Sequence, residues 1–187
     1  MASISLVSSI QACDLPPFAL LARYRRAGAY TDCYVTEITR PVSLIQYVEA
    51  FYTTWVFKLE RLLLAWIIAR PSTDLEAQKL AAGQLDTFSA WNVEERCDGQ
   101  MLLADLRGRT RSWLMIAPAA NGQSTRLFFG SAVVPVIESS SGKVTVGFAS
   151  RALLGFHKLY SRILLRAAAD SLRRSLDRAS VQFRGHR

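Results

Sequence analysis

From Thr87 onward the hydrophobic period of the chain changes from three-and-four to two, and tight-turn dipeptides punctuate the alternating runs. That change excludes an all-helical bundle, because alternation puts side chains on the two faces of a sheet. The runs 87–97, 100–107, 110–117 and 125–136 read as strands, with a further short one at 144–148. Asp98-Gly99, Gly108-Arg109 and Asn121-Gly122 mark the connections, and strands joined this tightly must be antiparallel neighbours. The second half of the chain is therefore a meander.

Two-residue loops would also fix the register, since directly paired residues share a face. Asp98-Gly99 then pairs Trp91 with Leu106, Val93 with Ala104 and Glu95 with Leu102. Gly108-Arg109 pairs Leu106 with Arg111, Ala104 with Trp113 and Leu102 with Met115. Both turns place Trp91, Val93, Leu102, Ala104, Leu106, Arg111, Trp113 and Met115 on one face, which we take as the concave one. Asn92, Glu94, Asp105, Arg107, Thr110 and Ser112 occupy the other. A two-residue loop at Asn121-Gly122 would set Gly130 opposite Trp113, leaving room for the indole.

Ahead of the meander, residues 30–38 are rich in β-formers and predict a first strand, ended by Pro41. Ser43 with Gln46 forms a capping box for a helix carrying Leu44, Val48, Phe51, Trp55, Leu59, Leu62 and Trp66, which Pro71 stops. Thr73 with Glu76 opens a short helix that Gly83 closes. After the meander, residues 150–179 predict one amphipathic helix, roughly 45 Å long at 1.5 Å per residue. Leu153, Phe156, Tyr160, Ile163, Leu164 and Ala167 line one side; Arg151, Lys158, Arg162, Arg166 and Arg173 line the other. Residues 1–28 read as an irregular arm, 29–180 as a single domain and 181–187 as a flexible basic tail.

This order of strand, two helices, antiparallel meander and long helix is α+β and resembles the helix-grip fold of the START and birch-pollen-allergen-like superfamily. The words around Thr31-Asp32-Cys33-Tyr34, Gly130-Ser131-Ala132-Val133-Val134 and Gly155-Phe156-His157-Lys158-Leu159-Tyr160 look like an uncharacterised bacterial branch of it, over residues 28–175. The resemblance implies a curved sheet wrapped around the terminal helix, with a cavity between them for a lipid, steroid or polyketide-like molecule.

On that expectation Trp91, Trp113, Phe156 and Tyr160 supply apolar contact area in the cavity. Arg111 and His157 orient a polar end of the ligand. A planar guanidinium suits an oxyanion, though a rim arginine also snorkels readily to water. An unperturbed imidazole titrates near neutrality, so His157 is the general base in an alternative reading, a cofactor-independent cyclase, isomerase or hydrolase. Without an identifiable carboxylate partner it reads first as a packed or half-exposed structural residue.

Charge supplies a third reading. The net charge is +8, and residues 151–187 hold nine Lys/Arg against Asp170 and Asp177. A peripheral binder of anionic membrane or nucleic acid would use that helix face. No aromatic side chain is interleaved with Lys158, Arg162 and Arg166 to stack bases, so no specific nucleic-acid partner is expected.

No phosphate-binding loop, dinucleotide fingerprint or metal-ligand motif appears in the sequence, and no cofactor or metal is expected. Cys13, Cys33 and Cys97 are odd in number and widely spaced, which argues against a disulfide framework and for a reducing compartment. The longest apolar run, Leu62 to Ala69, falls far short of the roughly 20 residues of a spanning helix. With no basic residue before Arg23, a cytoplasmic location is expected.

Overall fold

The computed structural model describes residues 9–58, 72–134, 136–137, 144–145 and 151–184, with side-chain surroundings in the last segment given for residues 158–178. It is an α+β fold in which a seven-stranded, fully antiparallel open sheet carries a long C-terminal helix across it.

Strand β1 (Gln11–Ala12) leads to a short helix α1 (Ala22–Arg26) and to strand β2 (Tyr30–Ile38). Helices α2 (Leu44–Tyr52) and α3 (Asp74–Ala81) come next. The meander comprises β3 (Thr87–Phe88), β4 (Trp91–Cys97), β5 (Gln100–Asp105), β6 (Thr110–Pro118) and β7 (Thr125–Val133). Strands β8 (Val136–Ile137) and β9 (Val144–Thr145) form a separate pair, and helix α4 spans Arg151–Arg184. The order across the main sheet is β1-β2-β7-β6-β5-β4-β3, so the last long strand returns beside the first.

Both capping boxes are present with their reciprocal side-chain bonds, from Ser43 and Gln46 on α2 and from Thr73 and Glu76 on α3. Gly83, at φ 75°, succeeds α3 in the left-handed conformation that glycine adopts without a Cβ penalty. Thr53 and Thr54 interrupt the run that the periodicity from Leu44 predicts, so that α2 ends at Tyr52 and helix resumes at residue 55. The Thr54 hydroxyl donates to the Phe51 carbonyl and accepts from the Phe57 N–H, closing one turn and capping the next. Trp55, expected on the buried stripe, is 70% exposed as a result. Leu59, Leu62, Trp66 and Pro71 lie outside the described residues.

Each face of the sheet is covered. Tyr34, Ile38, Met101, Leu103, Leu114, Leu127 and Phe129 pack with α2, α3 and α4 in the larger core. Cys33, Val35, Leu102, Trp113, Met115, Phe128 and Ala132 point the other way and meet Leu15, Ala19, Leu21 and Ala22 of the N-terminal segment. Apart from α1 the N-terminal segment is irregular, as expected, and beyond β1 its residues 13–24 pack on the sheet as a second layer. Residues 181–184, expected in the tail, continue α4.

Gln100, 6% exposed, joins this layer to the sheet. Its Oε1 accepts from Trp113 Nε1 at 2.9 Å and from the Leu20 N–H at 3.0 Å, and its Nε2 donates to the Phe18 carbonyl. The expected face of Trp113, Met115 and Leu102 is therefore real, but the N-terminal layer covers it and α4 does not.

The register explains which side chains changed face. Pairing across Asp98-Gly99 begins as expected with Cys97–Gln100 and Glu95–Leu102, then a β-bulge between Val93 and Glu95 shifts it by one. Val93 now faces Leu103 and Trp91 faces Asp105, so both side chains turn toward α4. At Gly108-Arg109 the turn is longer than two residues. Asp105 Oδ1 accepts from the N–H groups of Arg109 and Thr110, and Ala104 pairs with Arg111 and Leu102 with Trp113. That two-residue shift keeps the faces but leaves Leu106 outside the strand and 42% exposed.

Trp113 pairs with Gly130, as a turn centred on Asn121-Gly122 requires. A Cβ at Gly130 would lie 2.8 Å from the Asp32 carbonyl and 3.0 Å from both the Trp113 ring and Leu21. Gly130→Ala should therefore destabilise the protein by about 1–3 kcal/mol through overpacking, read as a fall in the urea midpoint at unchanged m-value.

Candidate functional site

Helix α4 crosses β2 and β7 and packs beside α2. Its buried stripe is Ser161, Leu164, Leu165, Ala168, Ala169 and Leu172, at spacings of three and four. Ile163, expected in that stripe, is 40% exposed, and Leu159 is 57% exposed. The true stripe is rotated toward the small residues Ser161, Ala168 and Ala169, which let the helix approach the sheet. Arg173, expected on the solvent side, is anchored instead, donating to the Glu37 carbonyl and pairing with Asp170.

Where the stripe meets the sheet, a cavity of about 200 Å³ opens between α4, β6, β7 and the Phe51 end of α2. Phe51, Phe57, Phe129 and Leu164 make it largely apolar, with Trp91 and Tyr160 at its sides. Its polar lining includes Ser161 on the helix, Ser112 and Ser131, paired across β6 and β7, and Thr110 and Arg111 at the start of β6. Ser131 donates through Oγ to Asp32 Oδ1 at 2.6 Å, which also accepts the Ser131 N–H. Neither Trp91 Nε1 nor Ser161 Oγ, both shielded from solvent, has a hydrogen-bond partner among the described residues.

Of the six residues expected to build the site, Trp91 and Tyr160 come together here. Trp91 arrives by way of the bulge, on the face opposite the expected one. Trp113 is wholly buried beneath the N-terminal layer, so it is no part of this wall. Arg111 borders the cavity, but its guanidinium is engaged on that far side. The side chains of Phe156 and His157 lie outside the described residues.

Phe51, Phe57, Phe129, Ser112, Ser131 and Ser161 are not singled out as site residues by the sequence. A usable signal exists in the register through Asn121-Gly122, which sets Ser112 opposite Ser131.

Arg111 is the centre of a polar cluster that ties the N-terminal layer to β4. Its Nε donates to Tyr24 Oη at 2.8 Å and to Glu94, its Nη1 donates to the Gly108 and Thr110 carbonyls, and its guanidinium lies 4.7 Å from the Tyr24 ring centre. Arg23 pairs with Glu94 and Glu95, and the Tyr24 hydroxyl also donates to Glu94. Arg111, expected to meet an oxyanion of a ligand, meets the carboxylate of Glu94 in this structure. The bulge makes this possible, because it lets consecutive Glu94 and Glu95 both reach the same arginine.

No family model, curated protein or solved structure matches the chain. No described helix is long and apolar enough to cross a membrane.

Burial opposes the charge of Glu94, but the Tyr24 hydrogen bond and the Arg111 and Arg23 guanidinium groups outweigh it and hold the carboxyl below its ordinary value. A group depressed in the folded state stabilises the fold above its unfolded pKa and loses that contribution as pH falls through the folded one. Glu94→Gln should cost roughly 1–2 kcal/mol at pH 7, between an exposed and a buried pair, and flatten the loss of stability below about pH 4.5. Urea unfolding at pH 7 and pH 3 measures both.

Proposed function

We propose that this protein binds a small, largely apolar molecule carrying one hydrogen-bonding end, in the cavity between the sheet and α4. The observation that carries the reading is that two residues lining this apolar cavity, Trp91 and Ser161, each hold a solvent-shielded polar atom, Nε1 and Oγ, with no hydrogen-bond partner among the described residues. A buried donor or acceptor without a partner costs about 1–3 kcal/mol, and a ligand carbonyl or hydroxyl placed between these two would remove that cost. Phe51, Phe129 and Leu164 would supply the contact area.

Volume narrows the class. About 200 Å³ lies below the roughly 300–1,000 Å³ of pockets that enclose drug-sized ligands. One ring or a short acyl end suits it better than a whole steroid. We read the architecture as helix-grip, with the return of β7 beside β2 and the span of α4 across both supporting that assignment.

Phenol and toluene are suitable probes, alike in shape and differing in one hydroxyl. We expect saturable quenching of tryptophan emission by both, tighter for phenol. Ser161→Ala should weaken phenol about three- to tenfold, the worth of one hydrogen bond, while leaving toluene unchanged and stabilising the free protein. Absence of saturable change with either compound would sink the reading. Equal loss for both would remove Ser161 from recognition.

A further inference from the structure

A second concavity, of about 600 Å³, lies on the other side of α4, where its Lys158 and Arg162 approach the start of β2. Arg25 from α1 completes a set of three cations around it, against Asp14 and Asp32. Asp32 gives one oxygen to Ser131. Cys13 and Cys33 both line its floor.

These cysteines, remote in sequence, are opposed across β1 and β2: Ala12 pairs with Tyr34, and the Cys13 N–H donates to the Cys33 carbonyl at 3.0 Å. Their sulfurs are 3.3 Å apart, and both thiols are free. Cys33 is buried and Cys13 half-buried, so the outer sulfur is reached first.

We propose that Cys13 and Cys33 form a thiol–disulfide couple that reacts with anionic low-molecular-weight disulfides docked in this cationic groove. Cys13 thiolate attacks one sulfur of the small disulfide, whose S–S bond breaks and whose other half leaves as thiolate and takes a proton from water. Cys33 then gives its proton to water and attacks Cys13 Sγ, releasing the second small thiol. Two protein thiols lose two electrons and two protons, and one small disulfide becomes two thiols.

Proton affinities run in the same order. The hydrogen bond between the two sulfurs favours Cys13 thiolate against the effect of burial, with Arg126 adding to it. Cys33 is held up first by that bond, then by burial and by the Cys13 charge. Once Cys13 is in a mixed disulfide, its charge and the bond are gone; burial and Asp32 still hold Cys33 up, and Arg25 works against them.

Cys97 is a built-in reference. It is exposed, and burial together with Glu95 and Asp98 raises its pKa, so an anionic reagent is repelled there. The test treats the reduced protein with oxidised glutathione, quenches by alkylation and maps the products by mass spectrometry. We expect a Cys13–Cys33 link while Cys97 stays a thiol. Cys33→Ser should retain glutathione on Cys13, and Cys13→Ser should leave Cys33 unmodified. Lys158→Glu with Arg162→Glu should slow the reaction with oxidised glutathione about tenfold and speed that with the cationic disulfide cystamine, as expected of electrostatic steering. A product on Cys97 alone, no link between Cys13 and Cys33, or rates indifferent to these charges would overturn the proposal. The wild-type link and the charge-reversed pair decide it even where a cysteine variant fails to fold.

Discussion

Strands β6 and β7 carry large apolar side chains on both faces, and the remaining architecture answers to that constraint. Leu114 and Phe129 point one way, Trp113 and Phe128 the other, and all four are buried. An antiparallel sheet commonly leaves one face to water. This one cannot, so helices α2, α3 and α4 take one side and residues 13–22 the other. The N-terminal layer has little regular structure of its own, and Gln100 supplies hydrogen bonds that its backbone would otherwise lack.

Local rules are readable where local chemistry decides the outcome. Two capping boxes, the glycine after α3, the bounds of β2 and the Trp113–Gly130 pairing all rest on residues close in sequence or on a single turn. The departures involve partners far along the chain. The bulge in β4 coincides with carboxylates that meet Arg23, Tyr24 and Arg111, which no local pattern reveals. The long turn before β6 depends on Asp105 accepting two N–H groups, where Gly108-Arg109 alone suggests a tighter one. Periodicity misplaces the phase of α4 because Ile163 and Leu159 are apolar but exposed, while Ser161 is polar and buried.

The candidate site is half legible for the same reason. Trp91 and Tyr160 stand out in the sequence, yet the face of Trp91 depends on the bulge. Arg111 reads as a group needing an anion, and the anion is Glu94. The paired serines escape notice because small hydroxyl residues in a strand give no strong signal until their register is known.

The bulge at Glu94 also makes the two sides of the sheet dependent on one another. The same extra residue carries a carboxylate down to the N-terminal layer and turns Trp91 up toward the cavity. Ordering of that layer and the shape of the cavity wall therefore share a free-energy term, and linkage makes it reciprocal. Whatever tightens the grip of Arg23 and Arg111 on β4 biases the position of an indole on the opposite face, with no conduit needed beyond the thickness of one strand.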